Sequence, residues 1–230
     1  MTYTYQHTSF EPASGPAIYL DTTLGLLTQR IEIEPAKAKT EYLDLPGADG
    51  SVDMTEALGL GVLYHDRTIV WTLALRPDQD WYTTMSAVSD ALNGLRFARI
   101  KVDASTYYYT GRVTVTSHAS DNLLHQIVIA ARVAPFRRRD SGTSRTITAA
   151  TTSIPVGLGS RPGPVLITNT GTGANGFTVS YKDGSGATKT VSVAPGASVT
   201  VTVQAGVSTL TVQSGTSAGS VQLNWQEVHL

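Results

Sequence analysis

Hydrophobic and polar positions alternate along most of this chain with a period of two, and a helical period interrupts them once. Leu27 to Glu34 alternates, with Ile31 and Ile33 on one face, until Pro35 stops it, which predicts a strand. Thr68 to Leu75 sets Ile69, Trp71, Leu73 and Leu75 against Thr68, Val70, Thr72 and Ala74, so this second strand is expected to be half buried. Then the period changes. Trp81, Met85, Val88, Leu92 and Leu95 recur at helical spacing, Asp78 or Asp80 stands where a cap belongs, and Asn93-Gly94 is a stop signal. One α-helix is therefore predicted, at about residues 80–93. Arg99 to Val102 and Tyr107 to Thr116 follow as strands around a turn at Asp103 to Thr106. A further strand begins near Leu123, in which Leu123, Ile127, Ile129, Ala131 and Val133 share a face with His125.

The second half carries about eight short runs, near Arg145 to Thr148, Ile154 to Val156, Val165 to Thr168, Phe177 to Tyr181, Thr188 to Val193, Ser198 to Val203, Ser208 to Val212 and Ser220 to Val228. Turn signals separate them, Asp183-Gly184 and Pro195-Gly196 most clearly. That spacing indicates an antiparallel sandwich or jelly roll. Composition places the boundary. Residues 1–140 hold 29 of the 35 charged side chains, whereas residues 141–230 hold 13 of the 21 glycines and are rich in Thr, Ser and Val. The expectation is a mostly β protein of two β-sandwich domains, residues 1–140 with the one helix and residues 141–230 without.

With 230 residues, each half is long enough to bury its own core. There is no cysteine, which removes disulfides and thiolate chemistry. The start, Met1-Thr2-Tyr3-Thr4-Tyr5-Gln6-His7, lacks the basic and apolar regions of a signal peptide, and no window approaches 18 uninterrupted apolar residues, so a soluble chain without membrane insertion is expected. A net charge of −1 argues against a dedicated nucleic-acid binder. The one basic run, Arg137-Arg138-Arg139, falls where composition changes and reads as a solvated linker.

Several strings imitate catalytic motifs and lack their context. Gly171-Thr172-Gly173-Ala174-Asn175-Gly176 matches a dinucleotide fingerprint, but the following Phe177 to Tyr181 is a strand where a helix N-terminus is required. Gly215-Thr216-Ser217-Ala218-Gly219 matches a nucleophile elbow and is likewise followed by a strand, with His229 the one histidine downstream. His118, Asp121 and His125 are residue types that suit zinc, yet their placement around a turn reads as a polar turn with one half-buried histidine. Asp49, Ser51, Asp53 and Glu56 fall short of a twelve-residue calcium-ligand set. No catalytic residue, cofactor or metal is assigned, and an enzyme is not expected. Exposed aromatic rings serve sugar binding, but the second half has only Phe177, Tyr181 and Trp225. Trp225 lies in register with Val221 and Leu223, which favours a core position over the sugar contact it would otherwise offer.

One ordered set of features fits none of these chemistries. Pro46 to Gly59 is a Gly/Asp-rich loop containing Gly47, Asp49, Gly50 and Asp53, followed by Tyr64 and Arg67. The helix ends at Asn93-Gly94. Asp103 precedes Tyr107-Tyr108-Tyr109-Thr110-Gly111-Arg112-Val113, and the segment closes on Pro135-Phe136. Over roughly residues 1–137 this resembles the N-terminal domain of the distal tail proteins of siphophages.

The resemblance implies a non-catalytic virion protein, a hexameric ring joining the tail tube to the tail tip or baseplate and leaving a channel for DNA. It implies copies of the chain itself as partners, with the tail tube protein, the tape measure protein and tail-tip or receptor-binding proteins beside them, DNA only in transit, and assembly in the host cytoplasm. It implies a β-sandwich with a helix in the first half and a galectin-like sandwich in the second. Ring closure needs heterologous contacts, for which the irregular segments Pro46 to Leu63 and Met1 to Pro16 are candidates. The alternative is a carbohydrate-binding module or receptor-binding tail component acting through the second half; a surface adhesin fragment fits less well without a signal peptide.

Overall fold

The computed structural model describes the chain except residues 1–6, 45, 47, 48, 50, 56–61, 104, 121–124, 149, 150, 172–175 and 215–219. The chain divides into two compact units, Met1–Arg137 and Arg138–Leu230. The fold class is the expected one: mostly β, with one helix among the described residues and antiparallel sheets in sandwich-like arrangements.

The first unit contains β1 (Ser9–Glu11), β2 (Ile18–Tyr19), β3 (Leu26–Ile33), β4 (Tyr42–Asp44), β5 (Ser51–Asp53), β6 (Arg67–Leu75), α1 (Trp81–Leu92), β7 (Arg96–Lys101), β8 (Tyr107–Ser120) and β9 (His125–Val133). Seven strands hydrogen-bond in the order β2-β1-β7-β8-β9-β6-β3, each pair antiparallel. The alternation read in β6 and β9 is the core face, because Ile69, Trp71, Leu73, Ile127, Ile129, Ala131 and Val133 are all buried. β1 and β6 stand four strands apart, about 19 Å in a flat sheet. The Phe10 ring of β1 nevertheless meets the Trp71 ring of β6 at 5.5 Å. The sheet therefore curls over on itself and encloses one apolar cluster.

Helix α1 forms where the sequence indicates. Asp80 is its N-cap, accepting from the Thr83 amide at 2.9 Å and the Thr83 hydroxyl at 2.7 Å. Gly94 ends it with φ +74°, a conformation glycine adopts without steric cost. The buried stripe is Thr84, Val88 and Leu92, four residues apart, with Trp81 and Met85 half buried. Leu95 departs from the expected stripe: it lies beyond the Gly94 turn, outside the helix, and is exposed.

Three further corrections concern local structure. β8 continues to Ser120, where a turn was expected from Ser117, because its ladder with β9 extends to the Ser120–His125 pair after a bulge near Thr116. The Pro46 to Leu63 segment is not irregular throughout, since Ser51–Asp53 pairs with Tyr42–Asp44. The arginine run, expected as a solvated linker, does lie where the units divide and keeps Arg137 and Arg138 exposed, but it forms a strand, β10 (Arg137–Arg139): the Arg139 amide donates to the Glu227 carbonyl at 3.0 Å and its guanidinium meets the Glu227 carboxylate at 3.1 Å.

The second unit comprises β11 (Thr143–Ile147), β12 (Thr151–Gly157), β13 (Gly163–Asn169), β14 (Phe177–Lys182), β15 (Thr188–Val193), β16 (Ser198–Val203), β17 (Val207–Ser214), β18 (Val221–Trp225) and β19 (Val228–His229), which pairs with β10. Two four-stranded antiparallel sheets, ordered β11-β18-β13-β16 and β12-β17-β14-β15, share one core to which Ile167, Val201 and Leu223 contribute from the first and Val179, Val193 and Leu210 from the second. Asn169, 1% exposed, is satisfied there: its amide donates to the Val193 carbonyl at 3.1 Å and its oxygen accepts from the Gly171 amide at 2.9 Å. At the Pro195-Gly196 turn Gly196 has φ +71°, whereas at the Asp183 turn the left-handed residue is Gly186, φ +84°, and not Gly184.

Candidate functional site

The motif residues of the first half fall into two contact groups within the chain, and one segment stands apart. In the first group the end of α1 is tied to β8. The Asn93 side-chain oxygen accepts from the Val115 amide at 3.0 Å, the Gly94 amide donates to the Val113 carbonyl at 2.9 Å, and the Arg112 guanidinium donates back to the Gly94 carbonyl. Gly111 of the same strand faces the β9 backbone so closely that a Cβ there would stand 2.3 Å from the Arg132 carbonyl oxygen.

The second group lies where β6 begins and β9 ends. Arg67 is buried, 7% exposed; it donates to the Pro135 carbonyl and places its guanidinium 5.6 Å from the Tyr109 ring centroid. Tyr64 meets Phe136 edge-on at 5.7 Å. Asp103 takes φ +72° in the β7–β8 turn, a left-handed conformation that aspartate tolerates better than most residues. These contacts give Arg67, Asn93, Gly94, Asp103, Tyr109, Gly111, Arg112 and Pro135 roles inside one subunit. Gly47 and Gly50 lie outside the described residues.

The segment that stands apart is a two-stranded arm. Its ladder runs outward from the His65 amide donating to the Lys37 carbonyl at 2.9 Å, through Lys39 to Leu63 at 2.8 Å and Met54 to Glu41 at 2.8 Å, to the β4–β5 pair. Every residue from Lys37 to Asp44 is exposed. Asp49 is exposed, and Asp53 accepts from the Thr55 hydroxyl and amide, which holds its carboxyl below the usual range. Tyr42, 60% exposed, and Leu43, 49% exposed, belong to neither core. The second strand of this arm falls inside the segment Pro46 to Gly59 that reads as loop in the sequence, and its three residues are too few to show a period.

A second surface opens at the core-side edge of β3. Ile31 and Ile33 pair with Trp71 and Ile69 and so face inward, yet Ile33 is 45% exposed. A groove of about 340 Å³ runs from them to Val102, Tyr107, Tyr109 and Arg137, the Arg137 guanidinium lying 4.9 Å from the Tyr107 ring centroid.

The strings that imitate catalytic motifs gain no geometry. Residues 172–175 and 215–219 lie outside the described residues, and the segments after them, β14 and β18, are strands. His125 stacks on Trp81 at 4.9 Å and 19°, with its Nδ1 2.8 Å from the Ser120 hydroxyl; His118 meets Trp81 edge-on at 6.3 Å; Asp121 is not described. Among the described residues no group of three or more His, Cys, Asp or Glu side chains is placed to hold a metal. Trp225 is 6% exposed and packs in the second core, so it offers no ring face to a sugar, which corrects its candidacy as a sugar contact. No described helix is long and apolar enough to cross a membrane.

No protein-family model matches the chain, and no curated protein matches it. Among solved structures it is similar to the SPP1 Dit (gp 19.1) protein, described as a paradigm of the hub adsorption apparatus in phages infecting Gram-positive bacteria: TM-score 0.68, 16% identity, 97% of this chain and 99% of that one. A chain of the phage P2 baseplate in its activated conformation with Ca matches more loosely, with TM-score 0.45 and 7% identity over 96% of this chain and 97% of that one. The first of these likenesses covers nearly the full length of both proteins, and this chain has the fold of the SPP1 Dit hub protein.

Proposed function

We propose that this chain is a structural phage tail protein, a distal tail hub whose copies close into a homohexameric ring between tail tube and tail tip or baseplate, with a channel for DNA. The observation that carries the reading is the shared fold over 97% of the chain, through both units. The motif residues support it in kind, because Arg67 bonds to Pro135 and Arg112 to Gly94 within the subunit, as residues that shape a scaffold would. The tail tube protein, the tape measure protein and tail-tip or receptor-binding proteins are the partners this role requires. Its place is the virion, after assembly in the host cytoplasm.

The second unit, read as galectin-like, acts as a spacer or docking surface for tail proteins. Chemistry is left to other components. Light scattering on the purified protein tests the ring: the mass is expected at about six times the 24.4 kDa subunit. A monomer at every concentration overturns the ring.

A further inference from the structure

A two-stranded ribbon with no covered face is marginal in water, since such a pair gains stability by packing on something. In the β4–β5 arm Lys37 to Asp44, Ser51, Asp53 and Met54 are all exposed, and Tyr42, Leu43 and Met54 present apolar surface to solvent. The arm is also strongly acidic. Residues 37–66 contain Glu41, Asp44, Asp49, Asp53, Glu56 and Asp66 against Lys37 and Lys39, a net charge of −4; the rest of the chain holds 15 bases against 12 acids, a net charge of +3.

The groove beside β3 has the opposite needs. Ile31 and Ile33 are core-facing residues at the sheet edge, Ile31 half buried against the core and Ile33 left exposed, and Arg137 borders them, with Asp103 the one acid in the lining. The space of about 340 Å³ has room for large side chains, and β3, last in the strand order, pairs on one edge only among the described residues, which leaves the other for an added strand. Both surfaces stay open within one chain, for Leu43 remains 49% and Ile33 45% exposed.

We infer that the arm of one copy docks in the β3 groove of the next: Leu43, on one face of β4, covers Ile31 and Ile33, and the acidic arm faces Arg137. The contact joins two different patches and so propagates head to tail, as ring closure demands. This rests on the ring reading above and names the surfaces that close it.

The absence of native cysteine allows a direct test. The full chain carrying both Leu43→Cys and Ile33→Cys is oxidised and compared with each single variant. The expected result is a covalent ladder beyond the dimer in the double variant, while single variants stop at the dimer. Both positions are exposed, so folding is expected to survive, and circular dichroism checks it. A double variant that cross-links no further than the single ones, or that bridges within one chain and shows only a shifted monomer, overturns the contact. A second measurement stands beside it: Arg137→Glu is expected to weaken self-association, with recovery when Asp44→Arg is added. Association unchanged in Arg137→Glu counts against the contact. The mass of the unmodified protein reads the ring separately, so a closed ring without the ladder removes this contact and leaves the hub reading in place.

Discussion

Gly111 and Arg132 approach so closely across the β8–β9 ladder that the position of a Cβ on Gly111 falls 2.3 Å from the Arg132 carbonyl oxygen. The neighbour is backbone and cannot swing away. Gly111→Ala is expected to cost at least about 1–3 kcal/mol, the range for overpacking a tight site. Gly94→Ala is a contrasting case, for nothing lies within 4 Å and only φ +74° opposes a side chain, a cost of about 1–2 kcal/mol. Urea denaturation of both variants checks the order; a Gly111 variant as stable as the parent would mean that the strands separate easily there.

Leu92 is fully buried beneath α1, in the stripe with Val88 and Thr84. Leu92→Ala is expected to destabilise the first unit by about 2–5 kcal/mol. An unchanged denaturation midpoint would refute the packing of that face against the sheet.

In the second unit the Asp183 carboxyl is held well below the usual carboxylate range, first by the Ser185 hydroxyl and then by Lys189, whose ammonium lies 2.9 Å away. A depressed acid stabilises the fold at pH above its ordinary value of about 4 and loses that contribution as pH falls below it. Asp183→Asn keeps an acceptor for the turn and removes the charge. Its melting temperature is expected to depend less on pH between about 5 and 2 than the parent's, measured by thermal scans across that window.

Arg139 is fixed by its amide and guanidinium to Glu227, and its carbonyl accepts from the Gln226 side chain. Limited trypsin digestion is expected to spare Arg139, with N-terminal sequencing of the first fragments as the check. Early cleavage after it would restore the flexible-linker reading of the arginine run.

Much of the fold is legible in the sequence because its signals are local. Trp71 and its neighbours alternate along nine residues of one strand, and Asp80 with Gly94 punctuates one helix. What escapes is long-range or short. β4 and β5 have three residues each, too few to show a period. The curl that brings Phe10 to Trp71 depends on strand order, which no alternation encodes. The surfaces proposed for assembly share this trait. Ile33 reads as an ordinary core-facing residue, and only the sheet's failure to cover it reveals a groove.

The strand order also sets a schedule for synthesis. Ser9 pairs with Tyr19 on one side and Lys101 on the other, so β1 can meet β2 at once but cannot find β7 until about ninety further residues have been made. At roughly 5–20 residues per second the N-terminal strand waits on the order of 5–20 s with that edge bare. Meanwhile β3 and β6, closer in sequence, can already pair. The curled sheet is thus expected to be closed late by its first strand, and a nascent chain held before residue 96 would lack the β7 edge on which that strand docks.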